Sequence, residues 1–341
     1  MAEVKPNLDN KRANLADIIP IPAPFTVYLE QTRVCNLKCF YCIHSTRDEK
    51  DGEFQKLNYD LKHMAFEDFQ KVIKDLSEFP KGSVKRIVFS GLGEPLANPR
   101  LPEFAKMAID SKIVDRVEVI TNGLLLTPEL TDKLVNAGIT NINISIQGNT
   151  PEKYEKVCGK KIDFEKFLEN LRYLSANKKQ VQIYIKAIDA TFETKEEENK
   201  FYEIFTPMAD RIFVEHLVQM QQQHDQIRSK VDSSKNFYGE TLQSERKVCG
   251  QAFYFLQIGC DLDTFPCPNP GLPKTLSMGN IKNNTIKEIW NGKKRTNLLK
   301  TMLKLERDTI SECKNCNTFT CISNPAEDLD KDADRLLKLF E

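Results

Sequence analysis

The sequence predicts an α/β chain on parallel strands, followed by a smaller cysteine-rich extension. Three observations carry this expectation. Six β-prone runs alternate with amphipathic helical stretches between Phe25 and Glu215, the pattern of right-handed crossovers onto a parallel sheet. Apart from Cys158, the ten cysteines fall into two groups divided by a polar stretch. The first group, Cys35-Asn36-Leu37-Lys38-Cys39-Phe40-Tyr41-Cys42, lies in the loop after the first strand. Parallel α/β barrels gather their active sites at that end.

At 341 residues the chain can bury a large core and carry a second, smaller domain. Its formal net charge of zero gives no general affinity for nucleic acid or anionic membrane. There is no long apolar run to span a membrane. Met1-Ala2-Glu3-Val4-Lys5-Pro6 lacks the apolar core of a signal peptide. Ten cysteines without an export signal read as metal ligands rather than disulfides, which points to a reducing cytoplasm.

Residues 1–24 are mostly polar and end in Ile19-Pro20-Ile21-Pro22-Ala23-Pro24, an arm or linker. The first strand is Phe25 to Leu29, with Glu30 after it. Past the cysteine loop and a polar stretch, Phe66, Phe69, Val72, Ile73, Leu76 and Phe79 recur at helical spacing. The second strand, Val84 to Phe89, runs into Ser90-Gly91-Leu92-Gly93-Glu94-Pro95-Leu96. The third, Arg116 to Ile120, leads to Thr121-Asn122-Gly123. A helix follows with Thr127 as N-cap, Pro128 in the first turn and Gly138 at its end. The fourth strand, Asn141 to Ile146, leaves through Ser145-Ile146-Gln147-Gly148. Phe164, Phe167, Leu168, Leu171 and Leu174 mark another helix face, and Val181 to Ala187 and Arg211 to Glu215 complete the strands.

A boundary is expected between Gln219 and Lys247, where large apolar residues are few and Gln221, Gln222 and Gln223 run together. The expected division is an arm at 1–24, a core at 25–220, a linker at 221–247, an extension at 248–325 and a C-terminal helix at 326–341. In that last segment Leu329, Leu336, Leu337 and Leu339 stand among charges, an amphipathic pattern.

The thiol spacing C-x3-C-x2-C lets one short loop aim three sulfurs at one metal centre and leaves a coordination position open. His44 allows a different reading, a structural zinc held by three cysteines and one histidine. The Gly91-x-Gly93 turn is no dinucleotide fingerprint, because Pro95 follows and the third glycine is missing. Its glycines do let backbone approach a ligand closely. Cys158 is a lone thiol whose expected role is packing. Strand ends offer Glu30, Lys186, Asp189, Glu215 and His216 as substrate contacts or as ordinary solvated charges.

The cysteine spacing, with Tyr41 before the third thiol, resembles the radical S-adenosylmethionine (AdoMet) enzymes. The resemblance implies a partial, six-unit (β/α) barrel, and the strand count agrees. It implies a [4Fe-4S] cluster on Cys35, Cys39 and Cys42, with AdoMet on the fourth iron. In the family the reduced cluster cleaves AdoMet to a 5′-deoxyadenosyl radical that takes a hydrogen atom from substrate. It also implies AdoMet contacts at Gly93 and Glu94, at Asn122, and at Ser145 and Gln147. Cys158 gains a second role, hydrogen-atom donor, as in some epimerases of the family. The Gly93-Glu94 turn also resembles RNA-methylating members, but those carry a sizeable domain where this chain has its arm.

After the boundary come Cys249, Pro266-Cys267, Gly279-Asn280, Glu288-Ile289-Trp290 and the pair Cys313 and Cys316. That order resembles the SPASM/Twitch extension of radical AdoMet enzymes. Two clusters with four thiols each exceed the six cysteines here, so one auxiliary [4Fe-4S] cluster is expected. The resemblance assigns it Cys249, Cys267, Cys313 and Cys316, with Cys260 and Cys321 as alternates. The sequence departs from the pattern at Leu262, where glycine is usual, and in having no cysteine after Cys321. A zinc ribbon is the other reading of these cysteines.

The function so implied is hydrogen abstraction from a small polar, sugar-like substrate, leading to oxidation (dehydrogenation) or epimerisation. The architectural parallel is the Twitch-type aminocyclitol dehydrogenase. An external reductant such as flavodoxin or ferredoxin is expected, with no nucleic acid or membrane partner. The alternatives are a peptide-modifying maturase of the RiPP or sulfatase type and a zinc-binding interaction module. The 24-residue arm is short for the leader-peptide-binding domain of many maturases.

Overall fold

The computed structural model describes residues 2–7, 12–220, 224, 227, 230–242, 246–322 and 324–341. Gln221, Gln222 and Gln223 of the expected linker lie outside the described residues.

Among the described residues ten strands form one sheet. They are β1 (Glu3–Val4), β2 (Thr26–Leu29), β3 (Arg86–Phe89), β4 (Arg116–Thr121) and β5 (Asn141–Ile146). The second half is β6 (Gln182–Ile188), β7 (Arg211–Glu215), β8 (Phe255–Ile258), β9 (Asp263–Phe265) and β10 (Gly279–Asn280). The order is β1-β7-β6-β5-β4-β3-β2-β8-β9-β10. Strands β2 to β7 are the six expected units, each parallel to its neighbour.

The strand period decides which face is which. Val117, Val119, Ile142, Ile144, Ile183 and Ile185 are buried in the core under the helices. The alternate positions Arg86, Glu118, Asn143, Tyr184 and Lys186 therefore share the opposite, inner face. Outside, Phe69 of helix Phe66–Leu76 stacks on Phe104 of helix Leu101–Asp110, ring centres 4.3 Å apart and planes within 6°. Thr127 caps its helix through Leu130 N at 3.1 Å, and Gly138 closes it at φ 93°. Only glycine adopts that conformation freely.

The N-terminal arm is built into the body instead of standing apart. β1 extends the sheet by pairing with β7. Leu15, Ile19 and Ile21 are buried with Val248, Phe253, Leu299, Leu303, Leu329 and Leu336 in a second core. Those apolar arm residues gain more from burial than a polar linker could.

The extension also shares the barrel's sheet, since β8 runs parallel to β2 over Thr26↔Phe255 to Leu29↔Ile258. Leu262 takes φ 67°, so a bulky residue occupies a left-handed position that favours glycine. Its side chain is fully buried, and that burial offsets the backbone cost. Helix Ile286–Trp290 opens on a Thr285/Glu288 capping box. Trp290 Nε1 donates to the Ile21 carbonyl at 3.1 Å, tying the extension to the arm.

The tail is not one helix. It forms short turns around a helix at Ala333–Leu337, with Leu329 and Leu336 buried and Leu339 exposed. The Asp330 carboxylate accepts from Lys247 N at 2.9 Å and Val248 N at 2.8 Å. Such side-chain-to-backbone bonds favour turns over helix.

Truncating the stacked ring, Phe69→Ala, is expected to cost about 3–5 kcal/mol. A urea titration followed by far-UV circular dichroism would read this as a lower midpoint with unchanged native signal. An unchanged midpoint would contradict the packing account.

Candidate active site

The cysteine loop leaves β2 and is curled by its own backbone. Cys42 N donates to the Cys39 carbonyl at 2.9 Å, and Ser45 N to the Cys42 carbonyl at 2.8 Å. Arg47 donates to the Cys35 carbonyl at 2.7 Å and to that of Leu37 at 3.3 Å. From below, Lys38 N and Phe40 N donate to the carbonyls of Cys158 and Val157, the last turn of helix Pro151–Cys158.

The three thiols feel one another. Burial, followed by the neighbouring Cys42, pushes the Cys35 thiol up to about 12. The Cys39 thiol is raised well above its ordinary value, first by a hydrogen bond with Cys158 and then by burial. His44 packs its ring on Phe54 at 4.9 Å, and burial holds its pKa down to about 4. Among the described residues no three His, Cys, Asp or Glu close around a point as a single metal ion requires. Three thiols on one loop are a soft, all-sulfur donor set, the ligand chemistry of an iron–sulfur group.

The glycine turn after β3 lies against this loop. A side chain at Gly93 would meet the Thr32 carbonyl at 2.5 Å, and Gly91 sits at φ 144° against Glu30. Glu94 N donates to the Val34 carbonyl at 2.9 Å. The Glu94 carboxylate accepts from Leu96 N at 2.9 Å, Thr121 Oγ1 at 2.5 Å and Asn122 N at 2.7 Å. Burial pushes its pKa up to about 6 against those three donors. Asn122 Nδ2 then donates to Asn36 Oδ1 at 2.7 Å, inside the cysteine loop. Gln147 accepts from the Tyr41 hydroxyl and donates to the Ser145 carbonyl at 3.0 Å. The structure thus brings Gly93, Glu94, Asn122, Ser145 and Gln147 to one end of the barrel, around the loop.

Cys158 lies directly beneath the loop. It is 1% exposed, in the core, and its thiol donates to the Tyr154 carbonyl at 2.9 Å. It lies against the cysteine loop, hydrogen-bonded with the Cys39 thiol. Glu30 is also pinned, by Arg33 at 2.7 Å and Leu92 N at 3.1 Å. Burial raises its pKa despite the arginine. Lys186 and Glu215 pair at 2.6 Å, with Tyr184 donating to Glu215 at 2.9 Å. His216 Nδ1 lies 2.5 Å from Asp189.

The second thiol set meets in the extension. Cys249, Cys267, Cys313 and Cys316 line one hollow. Burial raises Cys249 and Cys313 to about 12 and Cys267 further, with the neighbouring thiols adding to it. Cys321 is buried on helix Thr318–Cys321 and feels Cys316. Cys260 is not part of the set. Its thiol donates to the Glu30 carbonyl at 2.9 Å, at the mouth of the barrel.

Two contacts escaped the sequence reading. Arg307 donates to the carbonyls of Cys313 and Cys316, the latter at 3.3 Å, and lies 4.4 Å over the Phe319 ring. His224 bridges Glu53 at 2.5 Å and the Phe40 carbonyl at 3.0 Å. Neither residue sits in a recognisable spacing, and each acts on a distant segment. No sequence signal marked them.

Thiols raised to about 12 carry protons at neutral pH, yet bind iron as thiolates. Cluster assembly must therefore release protons, and apparent iron affinity should rise with pH between about 6 and 9. Chelator competition across that range, with proton release read in weak buffer, checks this. A flat profile would contradict it.

Comparison with known proteins agrees with this geometry. The family profile of the radical SAM superfamily matches residues 29–199, and that of an iron–sulfur cluster-binding (SPASM) domain matches residues 249–317. A probable GTP 3′,8-cyclase of Methanococcus maripaludis is 37% identical over 129 residues, 38% of this chain and 38% of that protein. The match thus spans well under half the length of that curated relative. A crystal structure of BtrN in complex with AdoMet and 2-DOIA superposes with TM-score 0.57 at 19% identity, covering 86% of this chain and 92% of that one. Streptococcus suis SuiB bound to precursor peptide SuiA gives TM-score 0.58 at 14% identity, covering 85% and 72%. These families imply AdoMet, a [4Fe-4S] cluster and auxiliary cluster binding. With its thiol loop, glycine turn and second thiol hollow in place, the chain belongs to the radical SAM superfamily and carries a SPASM domain at its C-terminal end.

Proposed function

We propose that the chain oxidises a small polar, sugar-like substrate by hydrogen abstraction at carbon. The observation that carries this reading is the C-terminal hollow lined by Cys249, Cys267, Cys313 and Cys316, the four thiols one auxiliary [4Fe-4S] cluster takes. When bound, the cluster on Cys35, Cys39 and Cys42 with AdoMet supplies a 5′-deoxyadenosyl radical, and the auxiliary cluster supplies an electron acceptor.

The chain's own residues then bind and orient. Gly93 lets backbone come close, Glu94 holds Asn122 against the loop, and Ser145 and Gln147 present polar groups beside Tyr41. Lys186, in register with Ser145, offers an ammonium, and Glu215 and Tyr184 offer hydroxyl-matching partners. Oxidation is favoured over epimerisation because Cys158, the candidate hydrogen donor, is buried behind the loop. The fold shared with BtrN in complex with AdoMet and 2-DOIA, with 92% of that chain covered, supports an AdoMet site on this fold. An external flavodoxin- or ferredoxin-type reductant and a cytoplasmic setting complete the reading. Peptide modification is the second reading, favoured by the likeness to SuiB bound to precursor peptide SuiA.

The test separates radical generation from oxidation. The Cys249/Cys267/Cys313/Cys316→Ala variant should keep 5′-deoxyadenosine release but lose the oxidised product of any substrate the wild type turns over. Oxidised product at the wild-type rate in that variant would overturn the role of the auxiliary set.

A further inference from the structure

The N-terminal end of the barrel, opposite the cysteine loop, carries more positive charge than its carboxylates match. Arg86 and Arg116 open β3 and β4 and are direct partners in the register. Like charges set side by side across strands destabilise a sheet. Both lean on one carboxylate oxygen of the buried Glu118, Arg116 Nε at 2.5 Å and Arg86 Nη1 at 3.4 Å. Lys85 and Arg12 stand beside them. Among the described residues Lys85 donates only to the Gly82 carbonyl at 2.6 Å, and Arg12 pairs with Glu327.

These four cations and the Glu327 carboxylate line a hollow of about 550 Å³, walled by Phe25 and Tyr254. Among the described residues Arg116 makes no satisfied hydrogen bond, and its Nε is buried without an acceptor in line. The same side chain borders a second hollow of about 190 Å³ that Arg211 also lines. A guanidinium is a flat fork of donors suited to two oxygens at once. Here its Nε ion-pairs with Glu118, the side chain lines both hollows, and its remaining donors take no hydrogen bond among the described residues.

We propose that this hollow binds an organic anion, a carboxylate or phosphate group on an apolar or aromatic body. Arg116 and Arg86 hold the charged group, Lys85 and Arg12 add charge at the rim, and Phe25 and Tyr254 flank the body. The volume falls in the range of small-molecule sites, about 300–1,000 Å³. The site stands apart from the cluster chemistry and does not depend on the oxidation reading.

Calorimetric titration of the reconstituted full chain tests it with three probes of one body: phenyl phosphate, benzoate and neutral benzamide. One anion should bind in a 1:1 ratio, with benzamide silent. Tighter phenyl phosphate identifies a phosphoryl ligand, and tighter benzoate a carboxylate. Arg116→Gln and Lys85→Gln should each weaken binding about tenfold or more. Should Arg116→Gln fail to fold, Lys85→Gln decides alone, because that exposed side chain bonds only one loop carbonyl. No saturable binding of either anion, equal binding of benzamide, or wild-type affinity in the folded variants would overturn the site.

Discussion

Glu94 carries a carboxylate inside the protein with three hydrogen-bond donors and, among the described residues, no cation bonded to it. Burying a charge this way is costly unless its lone pairs are satisfied. Here the donors come from its own turn and from the end of β4, so the charge can exist only while those two strand ends are held together. Asn122 passes the constraint on to Asn36, and the Val34 carbonyl takes Glu94 N in return. The cysteine loop, curled by its own backbone, is thereby also tied to two strand ends. That matters for chemistry at an open metal position, where a small displacement of the ligands misplaces everything bound to them.

The second constraint is that the extension is not an independent appendage. β8 adds to β2 in parallel, the strand from which the cysteine loop departs. Arm, extension and tail pool their apolar residues in one core around Phe253 and Leu303. The segments that carry the two thiol sets thus join through one continuous sheet. Leu262 shows what that continuity tolerates. Its left-handed backbone is strained, but its side chain is wholly buried at the junction.

Much of this was legible from residues alone. The alternation of strands and helices marked six parallel units, and Thr127, Pro128 and Gly138 marked one helix at both ends, because caps and periodicity are local physics. The thiol spacings marked both sulfur sets. What stayed hidden depends on distant partners. The arm's Leu15 and Ile19 look like linker residues until Phe253 and Leu336 cover them. Cys260 reads as a sixth extension thiol until the sheet carries it to Glu30. The tail's leucines have helical spacing, yet Asp330 spends its carboxylate on Lys247 and Val248 and breaks the run. Which side of the cysteine loop Cys158 occupies is decided by how its helix packs, and no local pattern encodes that.

The central claim is that Cys35, Cys39 and Cys42 hold the cluster that starts the chemistry, separately from the auxiliary set. The most direct measurement is iron and sulfide content after anaerobic reconstitution, with 5′-deoxyadenosine release under reducing conditions, for the wild type and a Cys35/Cys39/Cys42→Ala variant. The account predicts about eight irons per chain, falling to about four in the variant together with loss of 5′-deoxyadenosine. Iron content and AdoMet cleavage unchanged in the variant, or bound zinc with no cleavage in the wild type, would contradict it.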